Sequence, residues 1–262
     1  MSNDEFIATF ISVVLCIWLW PRWLWQVARV THIGPYPPCR RWPLYLTPLL
    51  AGVGLLAVLL TLSSPDVRTS AVYTFMYAVM GLAWVACAMK LFPFLNMDVL
   101  GDCLERRNEA ALAPALAAIL GVMLTFSGAN IGSGPGWWVV VFCGVLATGG
   151  LLAFWFLLEL VAAPSELITV DRDRLAGWRM AAYLTAQAIL LSRAVAGDWI
   201  STSSTLHDFV IKSAACWLLL LLAITAESAA SRGNLPPWAG KAVAVIYPGV
   251  AIIIVVLEGL PK

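Results

Sequence analysis

Residues 107–132 read RNEAALAPALAAILGVMLTFSGANIG, and residues 172–197 read RDRLAGWRMAAYLTAQAILLSRAVAG. The two stretches align without a gap at an offset of 65. Arg107-Asn108 falls on Arg172-Asp173, and Ala111, Ala117, Ser127, Ala129 and Gly132 fall on Ala176, Ala182, Ser192, Ala194 and Gly197. Six identities in 26 positions carry little weight in Ala-rich sequence, and the order of features around them carries more. Each unit opens on a charged connection with an Asn or Asp placed to cap a helix. It continues as an Ala-rich helix with a serine near its far end and closes at a Gly shortly before Trp (Gly136-Trp137; Gly197-Asp198-Trp199). A second helix returns and ends in Glu159 or Glu227. The expectation is two hairpins in the same orientation, a parallel repeat about an axis along the membrane normal. Chance similarity between two apolar hairpins is the competing reading.

Working outward, the whole chain has the composition of a membrane protein. Of 262 residues, 61% are hydrophobic and 12% charged, where soluble domains run to about 45–50% and about 25%. Disorder needs the opposite bias. A formal charge of +1 argues against nucleic acid as a partner, because that usually requires a basic face. A spanning helix takes roughly 20 mostly apolar residues. Eight stretches qualify, near 6–24, 44–63, 70–92, 110–130, 137–159, 175–197, 209–227 and 242–260. Breakers separate them: Pro35-Tyr36-Pro37-Pro38, Ser64-Pro65-Asp66, Gly132-Ser133-Gly134-Pro135-Gly136 and Asn234-Leu235-Pro236-Pro237. The sixth carries Arg179 and Arg193 and the seventh is bracketed by Lys212 and Glu227. Both count as spans if those side chains snorkel to the interface; a six-span chain that loses the two together is the fallback. The expected fold is all-α: a polytopic transmembrane bundle of about eight spans in a single integral-membrane domain. Its parts are a three-span region at 1–94, repeat hairpins at 95–164 and 165–232, and a last span within 233–262.

Lys and Arg gather on the cytoplasmic side of bacterial membranes. Placing both termini outside gives that side 12 of the 16 basic residues and leaves Arg68, Arg193, Lys212 and Lys262 on the other. Asp4 and Glu5 precede the first apolar run with no basic residue, so the first span reads as retained rather than as a cleaved signal. Tryptophans support the layout. Trp18, Trp20, Trp23, Trp25, Trp42, Trp178 and Trp238 fall at one interface and Trp137, Trp138 and Trp199 at the other, as an aromatic belt does. Stacking of these rings on a sugar or quinone is the functional alternative.

Motifs for chemistry are sparse. Cys16, Cys87, Cys143 and Cys216 lie in apolar spans and Cys39 and Cys103 in cytoplasmic connections, with no CxxC, so neither a disulfide framework nor a zinc site is indicated. His32 and His207 fall on opposite sides, which disfavours haem or a His-based metal centre. No cofactor is implied. Gly132-Ser133-Gly134 resembles a nucleophile setting but lacks a paired base, and small residues beside Pro135 suit a tight turn. Asp171-Arg172-Asp173 contains the Asp-x-Asp of metal–nucleotide sites, yet just before a helix it reads better as a cap.

The Asn followed by Ala-rich helix, the polar and Gly-rich outer turn, and the second copy opening on a charged loop resemble the YjfL-like family of small bacterial inner-membrane proteins. The likeness covers roughly residues 95–230. It implies a bacterial inner membrane and tandem hairpin repeats, and it supplies no catalytic residues. The first three spans and the last lie outside it, and Asp173 stands where the family pattern favours Asn.

No ionisable residue falls at mid-membrane by this reading, since Lys90, Glu159, Arg179, Glu227 and Lys241 sit at cytoplasmic ends and Arg193, Lys212 and Glu258 near the outer interface. The candidate polar-pathway or helix-contact residues are Gln187, Arg193, Ser127, Asn130 and Ser192. Small residues at Gly52 and Gly54, at Ala147, Gly149 and Gly150, and across Gly128–Gly132 would let helices approach closely, within one chain or in a homo-oligomer or larger complex. Short connections and an uncharged interior favour a non-enzymatic membrane subunit or scaffold with the lipid bilayer as its surroundings. A channel or facilitator for a small solute is the alternative, and a lipid-modifying enzyme the second alternative. Arg193 is expected to reach outward to water or to Asp198 or Asp208; the alternative is that it points inward and lines a polar vestibule, which would support the channel reading.

Overall fold

The structure is a computed structural model and describes residues 1–31, 36, 37 and 39–259. His32, Pro35, Pro38 and Lys262, named in the sequence analysis, lie outside the described residues. Among the described residues the regular elements are helices: α1 (Asn3–Arg29), α2 (Trp42–Thr61), α3 (Pro65–Thr69), α4 (Ala71–Ala88), α5 (Glu109–Gly128), α6 (Trp137–Ala162), α7 (Pro164–Thr169), α8 (Arg174–Val195), α9 (Thr202–Lys212), α10 (Ala214–Ser231) and α11 (Pro237–Glu258). Local chemistry starts them. Ser2 and Glu5 form a reciprocal capping box on α1. Pro65, Pro164 and Pro237 open α3, α7 and α11 at the position where a missing N–H costs nothing.

Seven segments are long and apolar enough to cross a membrane: α1, α2, α4, α5, α6, the Thr202–Ser231 segment formed by α9 and α10, and α11. This is a multi-pass membrane protein. The seventh expected span therefore qualifies, although it breaks at Ser213 into two helices. The sixth does not. At 22 residues α8 matches the others in length, but Arg174, Arg179 and Arg193 dilute its hydropathy. Its position in the fold explains the difference, for α8 touches α5, α6, α7, α9, α10 and α11. A helix ringed by other helices meets protein rather than lipid, and its sequence is free to be polar.

On the other flank α2 and α4 lie on α5, and α1 lies on α4. Two tryptophans tie this side together. Trp20 Nε1 donates to the Leu82 carbonyl at 3.1 Å, and Trp84 Nε1 donates to Thr148 Oγ1 at 3.0 Å. Trp23 is buried at 7% exposure, so it fills the core instead of joining an aromatic belt. Trp18, Trp25, Trp42, Trp178 and Trp238 remain exposed.

The centre of the bundle is the seam between α5 and α8, which run parallel with residues about 65 apart in contact. At one end, the arginine end, Arg174 pairs with Glu109, and Gly177 lies so close to Ala110 that a Cβ there would sit 2.1 Å from the Ala110 carbonyl oxygen. Midway, Gly121 faces the Ala188 methyl. At the opposite end, the glycine end, a Cβ on Gly128 would fall 2.4 Å from the Ser192 carbonyl and one on Gly132 2.3 Å from the Gly197 carbonyl. Of the small residues singled out from sequence, Gly54 and Gly149 make no such approach: a methyl added at either would meet nothing within 4 Å. The tightest approach is instead at Gly177.

The turns entering α5 and α8 share their backbone. Arg107 and Arg172 both take left-handed φ, 50° and 56°. Asn108 N donates to the Asp102 carbonyl at 3.0 Å, as Asp173 N does to that of Leu167 at 2.9 Å. Each cap then accepts from the amide two residues on, Asn108 Oδ1 from Ala110 at 3.0 Å and Asp173 Oδ1 from Leu175 at 2.8 Å. The Asn/Asp difference has a use: Asn108 Nδ2 also donates to the Ile168 carbonyl at 2.7 Å, which a carboxylate cannot do. Arg172 donates to the carbonyls of Arg106 and Arg107 and stacks over the Tyr36 ring at 3.6 Å, locking the two turns to each other.

Candidate functional site

The two outer turns meet at the glycine end and frame a cavity of about 290 Å³. Three hydrogen bonds fix the frame: Gly197 N to the Ile131 carbonyl at 3.0 Å, Trp199 N to that of Ser133 at 2.8 Å, and Ser133 N to Asp198 Oδ1 at 2.7 Å. Gly132 and Gly197 both take positive φ, 107° and 143°, which favours glycine at each, and at Gly132 the missing Cβ also lets the two chains approach this closely. Trp199 is held edge-on against Trp138 and Phe142, with ring centroids 5.2 and 5.6 Å away. The wall includes Asn130, Ser133, Arg193, Asp198, Asp208 and Lys212, with Tyr77 and Cys143 from neighbouring helices.

Two of the five sequence candidates, Asn130 and Arg193, line this cavity. Asn130 is 5% exposed and donates from Nδ2 to the Phe126 carbonyl at 2.8 Å. Arg193 does not pair with Asp198 or Asp208. Its Nε lies 3.7 Å from Glu258 Oε2 and donates to the Gly259 carbonyl at 3.1 Å, because α11 ends beside it. Asp198 is engaged by Ser133 N, and Asp208 lies 3.6 Å from Lys212. Ser127 and Ser192 sit behind the wall: Ser127 Oγ donates to the Met123 carbonyl at 2.8 Å, and Ser192 fills the space beside Gly128. Gln187 is fully buried elsewhere, its Nε2 donating to the Cys216 carbonyl at 3.0 Å while Oε1 has no hydrogen-bond partner among the described residues.

Sequence reasoning missed a second polar cluster. Arg179 does not snorkel but turns into the bundle and meets Glu227 in a two-pronged pair, Nε to Oε1 and Nη2 to Oε2 both at 2.8 Å, with 2% and 3% of the side chains exposed. Gly240 leaves room for Leu175 and the guanidinium, since a Cβ there would lie 2.8 Å from Leu175 Cδ2 and 3.3 Å from Arg179 Nη1. On the same helix, α11, Tyr247 presents a buried hydroxyl that has no hydrogen-bond partner among the described residues. A pair this well matched is stable only as a pair. The signal in sequence was one basic and one acidic residue at the same end of adjacent helices, which separation by 48 positions concealed.

At the arginine end a cavity of about 400 Å³ is lined by Asn96, Asp98, Asp102, Arg106 and Glu166 among others. Burial pushes the Asp102 carboxyl above the usual range, against the Asp98 amide and Arg106, which pull it down. That carboxylate fastens its own turn, accepting from Asp98 N at 2.9 Å and from Arg106 at 2.8 Å. Among the described residues no group of three or more His, Cys, Asp or Glu is arranged to hold a metal ion. Ser133 and Asp173 serve turn and cap as described above, and His207 is largely exposed, with Asp208 at 3.9 Å.

No family model matches the chain, and comparison with curated proteins and with solved structures yields no match.

Proposed function

We propose that this protein is a non-enzymatic membrane subunit or scaffold, built by duplication of a helical hairpin around the α5–α8 seam. The observation that carries this reading is the closure of the seam. Backbone meets backbone at Gly177–Ala110, Gly128–Ser192 and Gly132–Gly197, which leaves no room for a solute between the two central helices. Duplication is supported by features independent of Ala content. They are the paired left-handed Arg107 and Arg172, the matched turn hydrogen bonds, and the matched glycines at 132 and 197. The resemblance to the YjfL-like family belongs to the same proposal. So does α8 as an eighth crossing, about 33 Å long at 1.5 Å per residue.

The arginine end then faces the cytoplasm of a bacterial inner membrane, and both termini face outward. The bundle supports a common side for the termini: Trp137 Nε1 donates to Asp4 Oδ2 at 3.0 Å, and Glu258 lies by Arg193, both at the glycine end. Reporter fusions at Arg40, Arg107, Arg174 and Arg232 should read cytoplasmic, and fusions at Asp66, Ser133 and Thr205 external. A cytoplasmic signal at Ser133 reverses the orientation. The scaffold reading is tested by Gln187→Cys and Ser127→Cys. Neither should react with a water-soluble thiol reagent in intact membranes; rapid labelling at Gln187→Cys would reveal a water-filled path and favour a channel.

A further inference from the structure

We infer that the glycine-end cavity is a binding site for a small zwitterion carrying a carboxylate or phosphate and a protonated amine. The seam beneath it is a framework that the two halves share, whereas the cavity wall is where they differ. At the 65-residue offset, Gly132 and Gly197 correspond and both serve the frame. Arg193, however, stands opposite Gly128, Asn130 opposite Val195, and Asp198 opposite Ser133. Here the two halves depart from symmetry. Breaking it gathers one cation, one amide and one carboxylate around a single space.

Each of the three keeps an unused hydrogen-bonding atom. Arg193 spends Nε on the Gly259 carbonyl and Nη1 on that of Ala196, which leaves Nη2. Asp198 uses Oδ1 for Ser133 N and retains Oδ2; Asn130 uses Nδ2 and retains Oδ1. Among the described residues none of these three atoms has a hydrogen-bond partner, and Asn130 is 95% buried, so its carbonyl oxygen has only the cavity to face. Nη2 suits an anionic oxygen, while Asp198 Oδ2 and Asn130 Oδ1 suit an ammonium group. Lys212 and Asp208, 3.6 Å apart, add one further charge of each sign, and Glu258 lies 3.7 Å from Arg193 outside the lining; the charges of the wall itself balance, which suits a ligand with separated charges of both signs. At about 290 Å³ the space lies just below the range of about 300–1,000 Å³ for ligand pockets, fitting an amino-acid-sized group. Hydrogen bonds to Ser133 N, the Phe126 carbonyl and the carbonyls of Gly259 and Ala196 hold Asp198, Asn130 and Arg193 in place before a ligand arrives, which lowers the cost of binding.

That chemistry occurs in a free amino acid and in a phosphatidylethanolamine headgroup. Cys143 lines the same cavity and reports on both. The full-length protein is placed in nanodiscs of phosphatidylcholine, whose quaternary ammonium donates no hydrogen bond, and treated with a small water-soluble methanethiosulfonate. Cys143→Ala identifies the signal. Glycine should slow modification of Cys143 by about tenfold or more at saturation, and Arg193→Gln or Asp198→Asn should raise the glycine concentration required by about tenfold or more. If the ligand is instead the headgroup, glycine has no effect and nanodiscs containing phosphatidylethanolamine protect Cys143 unaided, again less so in the variants. Four outcomes overturn the proposal: no modification of Cys143, equal rates in every condition, protection by acetate or methylammonium as good as by glycine, or protection unchanged in both variants. The label here falls on Cys143 and in the scaffold test on Gln187→Cys, so the two readings fail separately.

Discussion

α8 and α11 are each 22 residues long and lie against one another, yet one is, with α5, among the most enclosed helices of the bundle and the other among the most exposed. Fifteen residues of α8 are buried, against Gly240, Tyr247 and Ala251 alone on α11. Their compositions run opposite to what water would impose. The enclosed helix carries three arginines and a glutamine, and the exposed one presents Val245, Ile253, Val256 and Leu257 to its surroundings. In a membrane, apolarity records contact with lipid, and polarity is tolerated where other helices supply the partners. The pair teaches that a helix too polar to score as a span can be the one around which the spans are arranged.

The largest effect that separates the two helices should come from the buried ion pair. Arg179→Ala or Glu227→Ala leaves an uncompensated charge inside the bundle and should cost about 3–5 kcal/mol in denaturant unfolding of the detergent-solubilised protein. Replacing both, Arg179→Met with Glu227→Leu, should restore most of that stability, because no lone charge remains. Ile253→Ala, on the exposed face of α11, should change stability by less than about 1 kcal/mol. If Arg179→Ala were as mild as Ile253→Ala, the enclosed position of α8 would be wrong.

A second contrast uses the same substitution twice. Gly177→Ala on α8 drives a methyl to within 2.1 Å of a backbone oxygen that cannot rotate away, and should cost about 1–3 kcal/mol or more by forcing the helices apart. Gly249→Ala on α11 meets nothing within 4 Å and should be neutral. Thermal unfolding of the two variants side by side would sharpen the assignment of the seam; equal behaviour would break it.

What sequence could reach follows from which features are local. The caps Asn108 and Asp173 and the turn glycines Gly132 and Gly197 were legible because each answers a backbone need that few residue types meet. The hydropathy of the apolar helices was legible because lipid imposes it directly. The Arg179–Glu227 pair and the Gly177 contact were not, because each joins helices whose neighbour relation exists only in the folded bundle. In the candidate site what separates cavity-lining residues from helix-contact residues is rotation. Ser127 and Ser192 stand within one turn of Asn130 and Arg193, and at about 100° per residue that displacement decides whether a side chain faces the cavity or the helix beside it.

The smallest effect belongs to the other arginine of the same helix. Arg193 lies at the glycine end with 13% of its side chain exposed, and its acidic partner Glu258, on the last turn of α11, is 35% exposed at 3.7 Å. Water reaches this pair, so its attraction is screened, and removing the guanidinium strands no charge inside protein. Arg193→Leu should therefore insert normally and lose only about 0–1 kcal/mol, as partly exposed pairs do. Two arginines fourteen positions apart on one helix thus make an internal control: the same side chain, opposite environments, and a difference of several kcal/mol expected between them. A loss at Arg193→Leu matching that at Arg179→Ala would mean that the glycine end is closed to water, which would also remove the aqueous access that zwitterion binding requires.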